Sequence, residues 1–528
     1  MTKAKEVLRG LLHDQSAFRY LYIMNLFFCS VCLISPVSEI IKGFLLVWAF
    51  FLLADVLFIQ KSVYRIRYWG LLLAFVTAGM ITTLIHARDN LLGNLIMLYH
   101  ACVCFFLFYG IHAEPDRQKI RRELYGIFES LIWVTTVFSV IGLLIVAVCV
   151  RFYIGSYCFG LMDNRYTGLY INPNLAAFAS VVSLVCCHFM LGKRRENGKR
   201  YVPRGLAAVC FISNLCVLFL SDSNASLVFT VVYSGLYAAY KLARYFRRNN
   251  RAVGIRHGAL LLCAWVIVLA ASFGARSTFQ SGVAFVLNDT QEVMHTSETA
   301  DWEQTEKAEQ QANARAADQA MAQETASVQQ DAAGVTIGRS DYEISSGRFD
   351  SLQKALQLFV RYPFMGIGKA NILDYGDRYL SEGFLFTDVH NGYLTILLSG
   401  GLCGLALFMA FLVLIARRML KCVDRRLLRF GREREDFPIL VAALGGYSVY
   451  SLFEKTLLYD ITFMVLIFWL LMGYAMCYLE RYELRQKRSR HVPALRMLAP
   501  GIYVLPVPTR GYLASEVMDK VQSRRKNA

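Results

Sequence analysis

Apolar residues come in long blocks along this chain, and short polar stretches separate them. Twelve such blocks lie near residues 18–36, 40–60, 67–86, 91–112, 125–149, 169–191, 205–220, 223–240, 257–273, 390–416, 437–454 and 460–479. Each is about 20 residues long, the length a helix needs to cross the hydrocarbon core of a bilayer. The pattern predicts an all-α polytopic membrane protein with about 12 transmembrane helices. Spans 1–9 occupy 1–273 and spans 10–12 occupy 390–480, with a basic tail over 481–528. The N-terminal MTKAKEVLRG is basic, but no small-residue cleavage site follows the first apolar run, so span 1 is expected to act as a signal anchor.

One connection breaks the pattern. Between spans 9 and 10, residues 274–389 form a large loop in two parts. Residues 288–331 are rich in Ala, Gln and Glu, with ten acids against two bases and no continuous apolar stripe. That composition predicts a solvated helix or a disordered insertion. Residues 344–372 differ. Phe349, Leu352, Leu356 and Phe359 recur at helical spacing, Ser345 or Ser346 can cap the start, and Pro363 and Gly366 end the run. This predicts an amphipathic helix that lies in the membrane interface or packs over the bundle.

Composition sharpens the reading. Of 528 residues, 56% are hydrophobic and only 18% charged, against about 25% in soluble domains. The net charge of +17 would suit a nucleic-acid binder, but its placement argues against one. Counting residues at the span edges, alternate loops carry 27 Lys and Arg on one side of the membrane and 5 on the other. Basic loops stay in the cytoplasm, so both termini are expected there and the 274–389 loop outside. KRRENGKR at 193–200 and the basic run at 417–434 are topology anchors that also touch anionic lipid. The 14 cysteines fall mostly inside spans, without zinc-ligand spacing, and predict neither a metal site nor a disulfide framework.

Three polar residues stand at the mouths of hydrophobic elements on the expected outer side. His390 opens span 10 in TDVHNGYLTILLSGGLCG. Arg348 opens the amphipathic helix, and Arg165 lies in DNRYTGLYINPN between spans 5 and 6. Arginine grips phosphate oxygens through a planar fork of donors, and a helix N-terminus adds unpaired backbone N–H groups. Two such clamps facing lipid suit a membrane-anchored diphosphate. A histidine beside them suits proton removal from an incoming hydroxyl. Gly400, Gly401 and Gly404 would let a helix or a lipid chain approach the backbone of span 10 closely. Each feature taken alone has a plainer reading, as a boundary histidine, a snorkelling arginine or ordinary helix packing. Asp55, His100, Glu129 and His188 lie in or near spans but are scattered.

Taken together, the motifs resemble the O-antigen ligases and the Wzy-type O-antigen and capsule polymerases of the same superfamily. The resemblance rests on His390-Asn391 followed at fixed spacing by Gly401 and Gly404, on SGR at 346–348 leading into YPFMGIGKAN at 362–371, and on RYTGLYINPN at 165–174. It implies a multi-pass protein of the bacterial cytoplasmic membrane. The implied activity is that of a metal-independent, inverting glycosyltransferase that uses no cofactor. The donor would be a glycan on undecaprenyl diphosphate. The acceptor would be lipid A core, another lipid-linked repeat or a cell-wall polymer. His390 is implied as the base, Arg165 and Arg348 as diphosphate ligands, and Asn174, Asn391, Gly401 and Gly404 as supporting residues. One departure stands out: many relatives carry Ser-Arg at the turn between spans 7 and 8, and here Asn224 takes the arginine's place in LSDSNASL. Two other readings stay open. A polymerase of O-antigen, capsule or exopolysaccharide repeats differs only in its acceptor. A polysaccharide transporter or lipid flippase would show two related halves with broken helices.

Overall fold

The computed structural model describes residues 13–155, 157–249, 255–302, 337, 348–380, 384, 389–426, 435–491, 496–499 and 502–504. The chain divides into two units, Met1–Cys477 and Tyr478–Ala528. In the second, β4 (Arg496–Ala499) and β5 (Ile502–Val504) form an antiparallel hairpin.

The first unit is mostly helical, and every apolar block lies on a helix. These are α1 (Gln15–Phe28), α2 (Ser35–Ala54), α3 (Trp69–Ile85), α4 (Ala87–Cys102), α5 (Arg117–Cys149), α6 (Pro173–Met190), α7 (Arg204–Leu220), α8 (Asn224–Arg248) and α9 (Ile255–Trp302). After the long connection come α10 (Arg348–Arg361), α11 (Ile372–Tyr379), α12 (Gly392–Arg426), α13 (Asp436–Tyr450) and α14 (Phe463–His491), the last of which belongs to the first unit only as far as Cys477. Among the described residues, seven helical stretches are long and apolar enough to cross a membrane, and α3 and α7 are shorter apolar helices. The protein is therefore a multi-pass membrane protein. Helix α9 does not stop near 273 but runs to Trp302, into the acidic stretch, because those residues are good helix formers. The remainder of 288–331, from 303 on, lies outside the described residues.

Two kinds of surface hold the bundle. Helix α2 exposes Phe44, Phe50 and Phe51, as a lipid-facing helix does. Inside, Trp469 is fully buried and donates its indole N–H to Leu457 O at 2.7 Å. Arg19 on α1 grips Glu123 on α5 through two bonds of 2.6 and 2.8 Å, and Tyr474 on α14 donates to the same carboxylate at 3.1 Å. Three helices meet at this satisfied pair.

A small antiparallel sheet adds to the expected all-α architecture. It consists of β1 (Arg151–Ile154), β2 (Tyr157–Met162) and β3 (Arg165–Gly168) in sequential order. Met162 pairs with Arg165, so Asp163 and Asn164 form a two-residue loop, both at positive φ (49° and 59°). That is the signature of a type I′ hairpin, for which Asp and Asn are favoured. Tyr166 on β3 is buried, with its ring held close over Gly142 of α5.

The glycines of span 10 serve a backbone contact. Helix α12 is broken at Gly401 (φ 63°, ψ −163°). The break frees four backbone groups, and the segment after α10 takes all four. Ile367 and Gly368 donate to Leu398 O and Ser399 O at 2.9 and 3.0 Å, while Leu402 and Cys403 donate to Pro363 O and Phe364 O at 2.8 and 3.1 Å. A Cβ on Gly366 would sit 2.4 Å from Leu398 O. The approaching partner is thus another loop of the same chain rather than a helix or a lipid tail. Non-helical backbone is tolerated inside a membrane protein where protein satisfies it.

Helix α10 packs differently from its sequence pattern. Ala355 and Leu358 are buried with Tyr375, Val389 and Leu398, and Phe359 packs at the edge of that cluster. Phe349 and Leu356, from the expected stripe, remain 70% and 44% exposed, beside exposed Val360 and Phe364. One face seats on the protein and the other stays apolar and uncovered. Packing over the bundle is realised by one face; the apolar residues occupy two faces, and none of the described residues covers the second. The capping residues Ser345 and Ser346 lie outside the described residues.

Candidate active site

The hairpin delivers Arg165 as the first residue after its tight turn. Its guanidinium donates through Nε to Ser221 O at 3.0 Å and through Nη2 to Asn174 Oδ1 at 2.8 Å, with a longer reach of 3.5 Å to Asp222 O. Asn174 is placed by the start of α6. Asn172 caps that helix by accepting from the Asn174 N–H at 2.7 Å, and Pro173 fills the first turn, where its missing N–H costs nothing.

His390 sits one residue before a helix cap. Asn391 Oδ1 accepts from the N–H groups of Tyr393 and Leu394, both at 3.0 Å, and its amide donates to Leu452 O at 2.9 Å. Asn391 therefore caps α12 and ties it to the segment between α13 and α14. His390 itself adopts φ 48°, a left-handed conformation in which His is one of the more tolerated residues. The side chain is 28% exposed.

Glu454, in the α13–α14 segment, joins these two halves. Its Oε2 lies 3.4 Å from His390 Nδ1, and its Oε1 accepts from Asn174 Nδ2 at 3.3 Å. A single path of polar contacts therefore runs from His390 through Glu454 and Asn174 to Arg165. The Glu454 side chain is only 9% exposed. Its segment is fixed by the Ser451–Thr456 hydroxyl contact at 2.7 Å and by the Trp469 bond to Leu457 O. A nearly buried carboxylate facing one imidazole nitrogen can fix the orientation of a histidine ring.

The other predicted residues fall as follows. Arg348 is the first residue of α10, and its side chain lies outside the described residues. Gly401 makes the break described above. A Cβ added at Gly404 would meet nothing nearer than Phe75 at 3.9 Å, so no close approach depends on it. Asp55 is bonded to Gln60 and faces His13, Glu129 pairs with Arg195, His188 bonds Tyr233, and His100 packs against Tyr22. No contact joins these four to the His390–Arg165 path among the described residues. Asn224 accepts from Arg276 Nη1 at 2.7 Å, and the same atom lies 3.0 Å from Asp222 Oδ1.

Sequence reasoning missed Glu454 and Arg276. Glu454 closes the expected span 437–454 at its outer mouth, and that position was its only signal. Arg276 lies just past the expected end of span 9 and carried none.

Residues 206–409 match the O-antigen ligase family. A comparison with curated proteins gives no match. The matched segment supports the O-antigen ligase/Wzy superfamily and an O-antigen ligase- or polymerase-like membrane function. It contains Arg276, Arg348 and His390 and spans about two-fifths of the chain. Arg165, Asn174 and Glu454 fall outside it. The fold brings them to the matched segment from both sides.

Proposed function

We propose that this protein transfers a glycan from undecaprenyl diphosphate to an acceptor hydroxyl, in the manner of an O-antigen ligase, at the outer face of the cytoplasmic membrane. The observation that carries the reading is the contact path His390–Glu454–Asn174–Arg165. It joins a histidine facing a carboxylate to an arginine guanidinium across four separate elements.

Each group then has a task. Glu454 engages Nδ1 and holds the tautomer with its proton there, so Nε2 takes the proton of the acceptor hydroxyl. The acceptor oxygen bonds to the anomeric carbon as the carbon–oxygen bond to the diphosphate breaks, with inversion. The electron pair leaves on the diphosphate. Arg165 and Arg348 stabilise that growing charge with guanidiniums, in place of a metal. The left-over imidazolium faces the Glu454 carboxylate. A lipid-anchored donor and an aqueous acceptor can meet only at the membrane boundary, which is why the base stands at the mouth of a span.

The test is transfer in inverted-to-outward-controlled vesicles carrying the lipid-linked glycan of the native strain. Wild type should consume the donor and release undecaprenyl diphosphate, and His390→Ala should do neither while inserting normally. Full donor consumption by His390→Ala would overturn the reading.

A further inference from the structure

The turn between α7 and α8 orients Arg165 through its backbone, and a second arginine holds that turn. Ser221 O and Asp222 O both face the Arg165 guanidinium. Asp222 does so in a left-handed conformation, φ 49°, which is uncommon for a residue with a side chain. Two side chains of α9, one helical turn apart, clamp the turn from outside. Arg276 Nη1 reaches both Asp222 Oδ1 at 3.0 Å and Asn224 Oδ1 at 2.7 Å, while Gln280 donates to Phe219 O at 2.8 Å. The Arg276 and Asp222 side chains are 13% and 10% exposed, and Gln280 is 6% exposed.

We propose that Arg276 is a positioning residue for Arg165, acting on the donor's diphosphate through the Asp222 turn. The inference rests on the donor-site reading of Arg165 given above. Three points lead to it. A nearly buried ion pair contributes little net stability, because desolvation offsets the Coulomb attraction; what it does is select one geometry. The geometry selected here is the one that aims two carbonyls at Arg165. And Asn224 offers an oxygen to the same guanidinium, so this turn is built to receive a cation from α9 rather than to carry one itself.

A double-mutant cycle tests this, with undecaprenyl diphosphate as the binding probe on purified, full-length protein. Arg165→Ala should weaken binding about 10²-fold, the loss expected when one partner of a charge-assisted contact to phosphate is removed. Arg276→Ala should weaken it about 10-fold or more on its own, and should add nothing in the Arg165→Ala background. Arg276→Lys, which keeps the ion pair, should recover most of the binding and serves as the control for folding. Three results overturn the inference: independent, multiplying losses; an Arg276→Ala protein that binds as wild type while Arg165→Ala does not; or a loss in Arg276→Lys equal to that in Arg276→Ala. If Arg165→Ala binds normally, the donor-site reading itself falls, and the inference with it.

Discussion

Glu454 Oε2 lies 3.4 Å from His390 Nδ1, although 64 residues separate the two in sequence. The pairing assigns roles to the two imidazole nitrogens. Replacement of Glu454 by Gln should be nearly as damaging as removal of the carboxylate. A Gln amide can donate to Nδ1 and so drive the ring proton onto Nε2, where it blocks proton uptake. Transfer should fall about 10²–10⁴-fold for Glu454→Gln and for His390→Gln alike, the range a general base contributes. The measurement is the initial rate of donor consumption. Near-normal turnover in either variant would mean that the histidine only positions the acceptor.

The arginines should resist conservative replacement. Arg165 uses Nε and Nη2 on different acceptors at once, and a lysine ammonium cannot reproduce that planar spread. Arg165→Lys and Arg348→Lys should each lower transfer by about 10²–10³-fold, the loss expected when a charge-assisted contact to the leaving group goes. Comparable loss in both would support a shared diphosphate. Unchanged glycan output in both would reduce them to interfacial anchors.

Orientation rests on the loop charges. With 27 basic residues against 5, the long connection before α10 should face outward. A membrane-impermeant thiol reagent on intact cells should label a cysteine introduced at Ala317 and miss one at Arg429. The reverse labelling would put His390 and Arg165 in the cytoplasm and remove the proposed reaction from the outer face.

The helices were legible in the sequence because bilayer burial demands long apolar blocks, and each block found one. What the sequence hid was pairing across distance. Arg165 and His390 were readable as residue types at element mouths, but Glu454 gained meaning only when folding set it between Asn174 and His390. The hairpin that carries Arg165 had a signal, Asp163-Asn164 between two short apolar runs, which was masked by reading the whole stretch as a loop between spans. Helix α10 misled for another reason. A stripe at helical spacing says which residues share a face, not which of two apolar faces meets protein, and Ala355 with Leu358 took that contact from Phe349 and Leu356.

The same distinction separates the two glycines that the motif places three residues apart. Gly401 combines φ 63° with ψ −163°, a region open essentially to glycine alone, and a Cβ there would lie 2.2 Å from Phe364 O. Gly401→Ala must therefore strain the backbone, at a cost of about 1–3 kcal/mol, and also push the 363–368 segment off α12. That segment holds four backbone bonds to the break, so the α10 end of the site would loosen with it. Gly404 is ordinary helix, and a Cβ added there would come no nearer than 3.9 Å to another part of the protein, at Phe75. Alanine there meets no clash and removes the flexibility penalty of a helical glycine, about 1 kcal/mol. Thermal aggregation in detergent should show Gly401→Ala melting well below wild type and Gly404→Ala at or above it, with transfer lost only in the first. Equal stability of the two variants would mean that the broken helix at Gly401 is not what seats the loop.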